Sequence, residues 1–407
     1  MSEDLAIDWE QRLSPAARRL KASDIREILK VTEQPWVISF AGGLPAPELF
    51  PVEQLQEASA RVLSRGAGAS TVQYSTTEGD PALRGWVAER DGVTPDHVQV
   101  VTGSQQGLDL VVRLLVGPGR AVAVEDPTYL GFLQVTQFNG VRAVPVATDD
   151  DGLIPEALDR ALGTGEIDAL YVMPNFQNPT GRTTSLERRE AIIDIALRHG
   201  VPVIEDDPYG ELRFRGESLP SLHALATRRV GDPDASPVIR LSTFSKILAP
   251  GLRVAWVVGP KPLIWRLTLA KQAADLHTST LAQRLAVELL PIVPEQIDRV
   301  TAAYGERSAA LERALDAAFG DAIARTRPDG GMFTWLQLPG GIDSAELLPA
   351  ALEQGVAFVS GAAFHSEAGT GGNTLRLSFS SSPPSEIDEG VRRLAPVLQG
   401  ALDTASV

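Results

Sequence analysis

The stretch Val98-Gln-Val-Val-Thr-Gly-Ser-Gln-Gln-Gly-Leu-Asp-Leu-Val-Val-Arg-Leu-Leu-Val-Gly-Pro-Gly-Arg-Ala-Val-Ala-Val-Glu125 sets the kind of fold this chain builds. An apolar run, Val98 to Thr102, passes through Gly103 into a helix-like segment, and a Gly-Pro-Gly turn leads into a second apolar run, Ala121 to Glu125. Strand, helix and strand in so short a span is the crossover unit of a parallel sheet. The rhythm continues through Arg142 to Val146, Ala169 to Met173, Pro202 to Glu205, Val238 to Ser242 and Leu252 to Val258. These seven runs predict one twisted, mostly parallel seven-stranded sheet, hence an α/β large domain. After Pro294 the pattern changes to a long helix reaching Phe319, followed by strand-like Phe333 to Leu338, Val356 to Ser360 and Thr374 to Phe379, which predicts a smaller α+β domain. Working outward to the beginning, the chain is polar to about residue 35, with a helical stretch from Ser23 to Lys30 behind a Ser cap. A turn follows at Phe40-Ala-Gly-Gly-Leu-Pro45. The expected division is 1–55 as arm and small-domain segment, 56–293 as large domain and 294–407 as C-terminal small domain.

The 407 residues include 43% hydrophobic ones, enough for two cores, and carry a formal charge of −15. Such a charge repels a phosphate backbone or an anionic membrane, so neither nucleic acid nor membrane is expected as a partner. The absence of cysteine excludes disulfides, thiolate metal sites and a cysteine nucleophile. Acidic residues stand where a secretory leader needs basic and apolar ones, and no apolar run approaches the roughly 18 residues of a membrane span. A cytoplasmic protein is expected.

The chemically able side chains fall where strands end, the place where open α/β sheets hold ligands. In Leu241-Ser-Thr-Phe-Ser-Lys-Ile-Leu-Ala-Pro-Gly-Leu-Arg253, the hydroxyls of Thr243 and Ser245 with Arg253 suit a phosphate dianion. Lys246 between them suits a covalent imine, provided burial or a nearby cation lowers its pKa; a solvated surface loop is the plain alternative. At Gly103-Ser104-Gln105 the free amides of a helix start suit an anion. In Val203-Ile-Glu-Asp-Asp-Pro-Tyr-Gly210, an apolar strand runs into three acids, which need a partner if buried. A protonated pyridine nitrogen is one such partner and a magnesium ion another. Asn178 lies in the turn Pro174-Asn-Phe-Gln-Asn-Pro-Thr-Gly181, and Tyr129 could set a flat ring against a flat ligand. Alternation in Thr374-Leu-Arg-Leu-Ser-Phe-Ser380 turns Arg376 away from Leu375 and Leu377, toward solvent or a cleft, where a guanidinium could grip a carboxylate with two parallel bonds.

Taken in this order, the motifs resemble those of the class I and II aminotransferases of pyridoxal 5′-phosphate (PLP) fold type I, and the resemblance runs from about residue 20 to 400. It implies PLP as cofactor, Lys246 as the Schiff-base lysine and proton shuttle, and Asp206 as partner of the pyridine nitrogen. It further implies Tyr209 and Asn178 at the phenolic oxygen, Tyr129 stacked on the ring, and Ser104, Gln105, Thr243, Ser245 and Arg253 at the phosphate. Arg376, with Asn178 and Gly43, would bind the substrate. Thr243 stands where relatives often carry Ser, with the hydroxyl kept. Lys21 to Lys30, Ser39 to Pro51 and Gln73 to Gly79 bring the chain nearest to the 2-aminoadipate and kynurenine branch, including its bacterial lysine-biosynthesis members. That likeness implies that Arg26 binds an acidic side chain, and that Tyr74 reaches the phosphate of a second subunit in a homodimer with shared sites.

The implied reaction is ping-pong transfer of an amino group from an L-amino acid (2-aminoadipate, aromatic or branched-chain type) to 2-oxoglutarate. A PLP-dependent lyase or decarboxylase on the same scaffold is the alternative enzyme. An effector-sensing domain of a transcription regulator is a third reading, which needs a basic DNA-binding module of about a hundred residues ahead of the body. A metal-dependent enzyme built on the three acids is the fourth.

Overall fold

A computed structural model describes residues 7–20, 34, 36–66 and 68–405. The expected helix from Ser23 to Lys30, and Arg26 within it, lie outside the described residues. The strands are β1 (Ile38–Ser39), β2 (Val98–Val101), β3 (Ala121–Asp126), β4 (Arg142–Asp149), β5 (Gly152–Leu153), β6 (Ile167–Val172), β7 (Val203–Asp206), β8 (Val238–Thr243), β9 (Ala255–Val258), β10 (Ala324–Arg325), β11 (Phe333–Gln337), β12 (Val356–Ala357), β13 (Val359–Ser360) and β14 (Thr374–Ser378). All seven expected runs of the large sheet are strands, and they lie in the order β2-β9-β8-β7-β6-β3-β4. An eighth, β5, extends the edge as a two-residue hairpin return on β4, too short to leave an apolar run in the sequence. Strands β4, β3, β6, β7 and β8 pair in parallel, while β9 runs antiparallel to both β8 and β2. The last strand starts at Ala255 rather than Leu252, because Pro250–Leu252 forms a 3-10 turn first.

Burial explains the sequence pattern. Strands β2, β7 and β9 are buried at every position, since helices cover both faces of the sheet. The long helix Val293–Phe319 matches expectation and packs on the C-terminal helix Pro384–Ala405. A second, antiparallel sheet has the order β10-β11-β14-β13. Beside it, β1 pairs in parallel with β12, joining Ile38 to Val356 across most of the chain. No helix among the described residues is long and apolar enough to cross a membrane.

Candidate active site

A cleft of about 350 Å³ opens at the carboxyl ends of the parallel strands, roofed by Phe364 and Arg376 from the second sheet region. Strand β2 ends at Val101, and two residues on Gly103, whose φ of +80° suits glycine, caps the helix Ser104–Leu115. A Cβ at position 103 would stand 2.1 Å from Arg253 Nη2, so only a bare backbone lets the guanidinium lie over the helix start. Thr243 Oγ1 donates to Ser245 Oγ at 2.9 Å and accepts from the Ser245 amide at 3.0 Å. Ser104, Gln105, Thr243, Ser245 and Arg253 therefore ring one corner of the cleft, and Ser104 Oγ is buried without a partner.

The three acids of the strand end part company. Glu205 accepts the amides of Leu222 and His223 at 2.8 and 2.9 Å, stabilising the start of the helix Leu222–Val230. Asp207 accepts from Asn175 at 2.9 Å and Arg240 at 2.8 Å. Only Asp206 faces the cleft. Tyr171 donates to its Oδ2 at 2.8 Å, and its Oδ1 is buried with no partner. Burial pushes the Asp206 pKa up to about 7, against the lowering effect of the Tyr171 bond. This dispersal removes the three-acid metal site as a reading, and no cluster among the described residues is arranged to hold a metal ion.

Lys246 is part-buried, and its Nζ donates to the Gly43 carbonyl at 3.0 Å. Burial, with the positive charges of Arg376 and Arg253, brings its pKa down to about 8. Across the cleft Arg376 is only 3% exposed. Its Nη1 donates to Asn178 Oδ1 at 2.8 Å and its Nη2 to the Ala41 carbonyl at 2.6 Å, while Nε has no partner. The guanidinium carbon lies 4.3 Å from the Phe333 ring centroid and 5.0 Å from that of Phe364, so aromatic faces hold a charge that burial disfavours. Burial lowers the Arg376 pKa to about 10. Tyr129 also lines the cleft, its phenol pushed up to about 12 by burial and by Asp206. Tyr209 is raised too, first by burial. The turn at 40–45 links the parts, for the carbonyls of Ala41, Gly43 and Leu44 accept from Arg376, Lys246 and Ser380 in turn.

Of the predicted site residues, Gly43, Ser104, Gln105, Tyr129, Asn178, Asp206, Tyr209, Thr243, Ser245, Lys246, Arg253 and Arg376 meet in this one cleft. Tyr74 does not; it is 78% exposed and meets His277 edge to face at 5.8 Å. Sequence reasoning missed Tyr171 and Arg189. Arg189 is wholly buried and donates to the carbonyls of Pro174, Thr184 and Pro220 and to Asn175, pinning the loop that carries Asn178. A polar-tipped ring inside the apolar run of β6 was the available signal for Tyr171; Arg189 left none on its helix.

The family described as aminotransferase class I and II matches residues 41–394. The chain belongs to the class I and II aminotransferases. A 2-aminoadipate transaminase of Thermus thermophilus is 45% identical to this aminotransferase over 397 residues, 97% of this chain and 98% of that one. An aromatic-amino-acid aminotransferase of Thermococcus litoralis is 39% identical over 406 residues, covering 97% and 95%. The crystal structure of the Thermus thermophilus α-aminoadipate aminotransferase, complexed with N-(5′-phosphopyridoxyl)-L-leucine, matches with a TM-score of 0.91 at 44% identity over 98% of this chain and 100% of that one. Enzymes of this fold type use PLP. The aminotransferase site fits that group: an unpartnered carboxylate oxygen on Asp206, an unpartnered hydroxyl on Ser104 beside Arg253, and a lysine of lowered pKa are the donor set for a pyridine nitrogen, a phosphate and an aldehyde.

Proposed function

We propose that this aminotransferase takes the amino group of an L-amino acid of the 2-aminoadipate, aromatic or branched-chain type and passes it to 2-oxoglutarate in ping-pong order. The observation that carries the reading is one cleft in which a part-buried lysine with a pKa of about 8 is opposed by a buried arginine with a free Nε. A lysine so tuned is partly neutral near pH 8 and can accept a proton at the substrate α-carbon. Arg376, steadied by Asn178 and two rings, binds the α-carboxylate and sets which α-carbon bond faces that amine. PLP, when bound, supplies an electron-withdrawing ring that stabilises charge at the α-carbon. Asp206 would balance a proton on its ring nitrogen, Tyr209 and Asn178 would bond its phenolic oxygen, Tyr129 would pack against the ring, and Ser104, Gln105, Thr243, Ser245 and Arg253 would hold its phosphate. Gly43 fixes the turn beside the substrate.

Donor choice rests on the two named relatives, the Thermus thermophilus 2-aminoadipate aminotransferase, whose crystal structure holds a leucine adduct, and the aromatic-amino-acid aminotransferase. A homodimer with shared sites accounts for Tyr74, an aromatic side chain held by His277 yet left to solvent in the single chain. Arg26 selects acidic donors in this reading. Initial rates with 2-aminoadipate, kynurenine, leucine, phenylalanine and glutamate against 2-oxoglutarate test it, with parallel reciprocal lines expected. Arg26→Ala should weaken the acidic donors selectively. The absence of 2-oxoglutarate-dependent turnover with every donor would defeat the proposal, and equal losses for all donors would remove Arg26 from it.

A further inference from the structure

Behind the cleft lies a buried pair to which none of the roles above gives a task. The rings of Phe132 and Tyr171 are stacked, 3.7 Å between centroids and 5° between planes, and neither is exposed. Phe132 belongs to the helix Leu130–Asn139, which opens at Tyr129. Tyr171 belongs to β6, whose neighbour β7 carries Asp206, with Tyr171 in register with Ile204. The tyrosine hydroxyl reaches across to Asp206 Oδ2 at 2.8 Å.

A carboxylate bonded at one oxygen has its plane set and its other oxygen aimed. Here the aimed oxygen is Oδ1, buried and unpartnered on a residue that lines the cleft. We propose that Tyr171 is the positioning residue for Asp206: its hydroxyl, held in place by the Phe132 stack, favours the charged carboxylate and presents Oδ1 alone to the cofactor's ring nitrogen. Without the hydroxyl, Oδ2 would be a buried acceptor with nothing to accept, and the cheapest relief for such a group is to take up a proton. A protonated Asp206 cannot balance a pyridinium. The neighbouring carboxylate cannot take over the donor's part, because Asp207 is itself an acceptor held by Arg240 and Asn175. Burial raises the Tyr171 phenol well above its ordinary range, so it stays a donor throughout the working pH. The same helix thus places Tyr129 in the cleft and, three residues on, the ring that locks Tyr171.

This proposal rests on Asp206 serving the ring nitrogen, and a double-mutant cycle separates the two. Dissociation constants for PLP are measured by equilibrium dialysis on the wild type, Tyr171→Phe, Asp206→Asn and the double variant. Tyr171→Phe keeps the ring and the stack, and melting followed by circular dichroism checks its fold. Loss of a hydrogen bond to a charged group predicts weakening of about tenfold or more in the wild-type background, and about twofold or less once Asp206 is already Asn. The acid limb of the pH profile of kcat/KM should move to higher pH in Tyr171→Phe. Phe132→Leu, which keeps the hydroxyl and loosens the ring, should weaken PLP by about threefold, as expected for losing an aromatic contact. Unchanged PLP affinity in Tyr171→Phe while Asp206→Asn is weakened overturns this proposal alone, as does an equal loss in both backgrounds, which would mark plain packing. Unchanged affinity in Asp206→Asn overturns the assignment of Asp206 and this proposal with it.

Discussion

On the large-sheet wall of the cleft, Asp206 and Thr243 end paired strands, while Ser104, Ser245 and Lys246 follow within a few residues of a strand end. On the opposite wall a single residue of β14, Arg376, supplies the charge; nearby Phe364 supports it, together with Ala41, Asn178 and Phe333 from far away in the chain. The first wall is many groups on one scaffold, and the second is one guanidinium held by several segments. A ligand that touches only the first wall should survive changes to the second, whereas turnover needs both.

The largest test of this division is Lys246→Ala, the only change that removes the nucleophilic amine. Turnover should fall by about 10³-fold or more, in the range of a positioned proton-transfer group, and the visible absorbance of covalently held cofactor should vanish while the melting curve is kept. Persistence of that absorbance would break the assignment. Arg376→Lys comes next. It keeps a charge and loses the planar fork, so kcat/KM should drop by about a hundredfold, mainly through KM for the amino acid. Cofactor affinity should hold; an equal loss there would show that the walls are not separable. The smallest effect is in pH. Because the Lys246 pKa is lowered to about 8, the rate at which the cofactor-free chain captures PLP should climb as the amine loses its proton and level off above that pH. An ordinary lysine near 10.5 would keep climbing. Arg376→Gln removes one of the two charges that depress Lys246, so the inflection should move upward; a fixed inflection would leave burial and Arg253 to set it.

The same division explains what the sequence could tell. Lys246, Asp206 and Ser104 lie within a few residues of an apolar run, so their convergence on one cleft was readable from motif and rhythm together. Of the three acids at 205–207, rhythm could not say which faces the cleft, because that depends on Arg240, Asn175 and the helix start at Leu222, all distant in sequence. Alternation gave Arg376 its side of the strand but left solvent and cleft as equal choices, and only the packing of Phe333 and Phe364 decides. The hairpin return β5 and the role of Arg189 were silent, the first for its length and the second because a helical arginine is ordinarily solvated. The division at 55 and 293 remains our proposal; the pairing of β1 with β12 supports assigning the early segment to the small domain.

That pairing has a consequence for the order in which a nascent chain acquires its parts. The last strand of the large sheet ends at Val258, so every large-sheet residue named around Lys246 has been made long before Arg376. Ile38 and Ser39, made long before Val356 and Ala357, wait for them to complete their ladder. Vectorial synthesis therefore makes the large-sheet wall first and the Arg376 wall last, and the Gly43 carbonyl that meets Lys246 belongs to the segment that must wait.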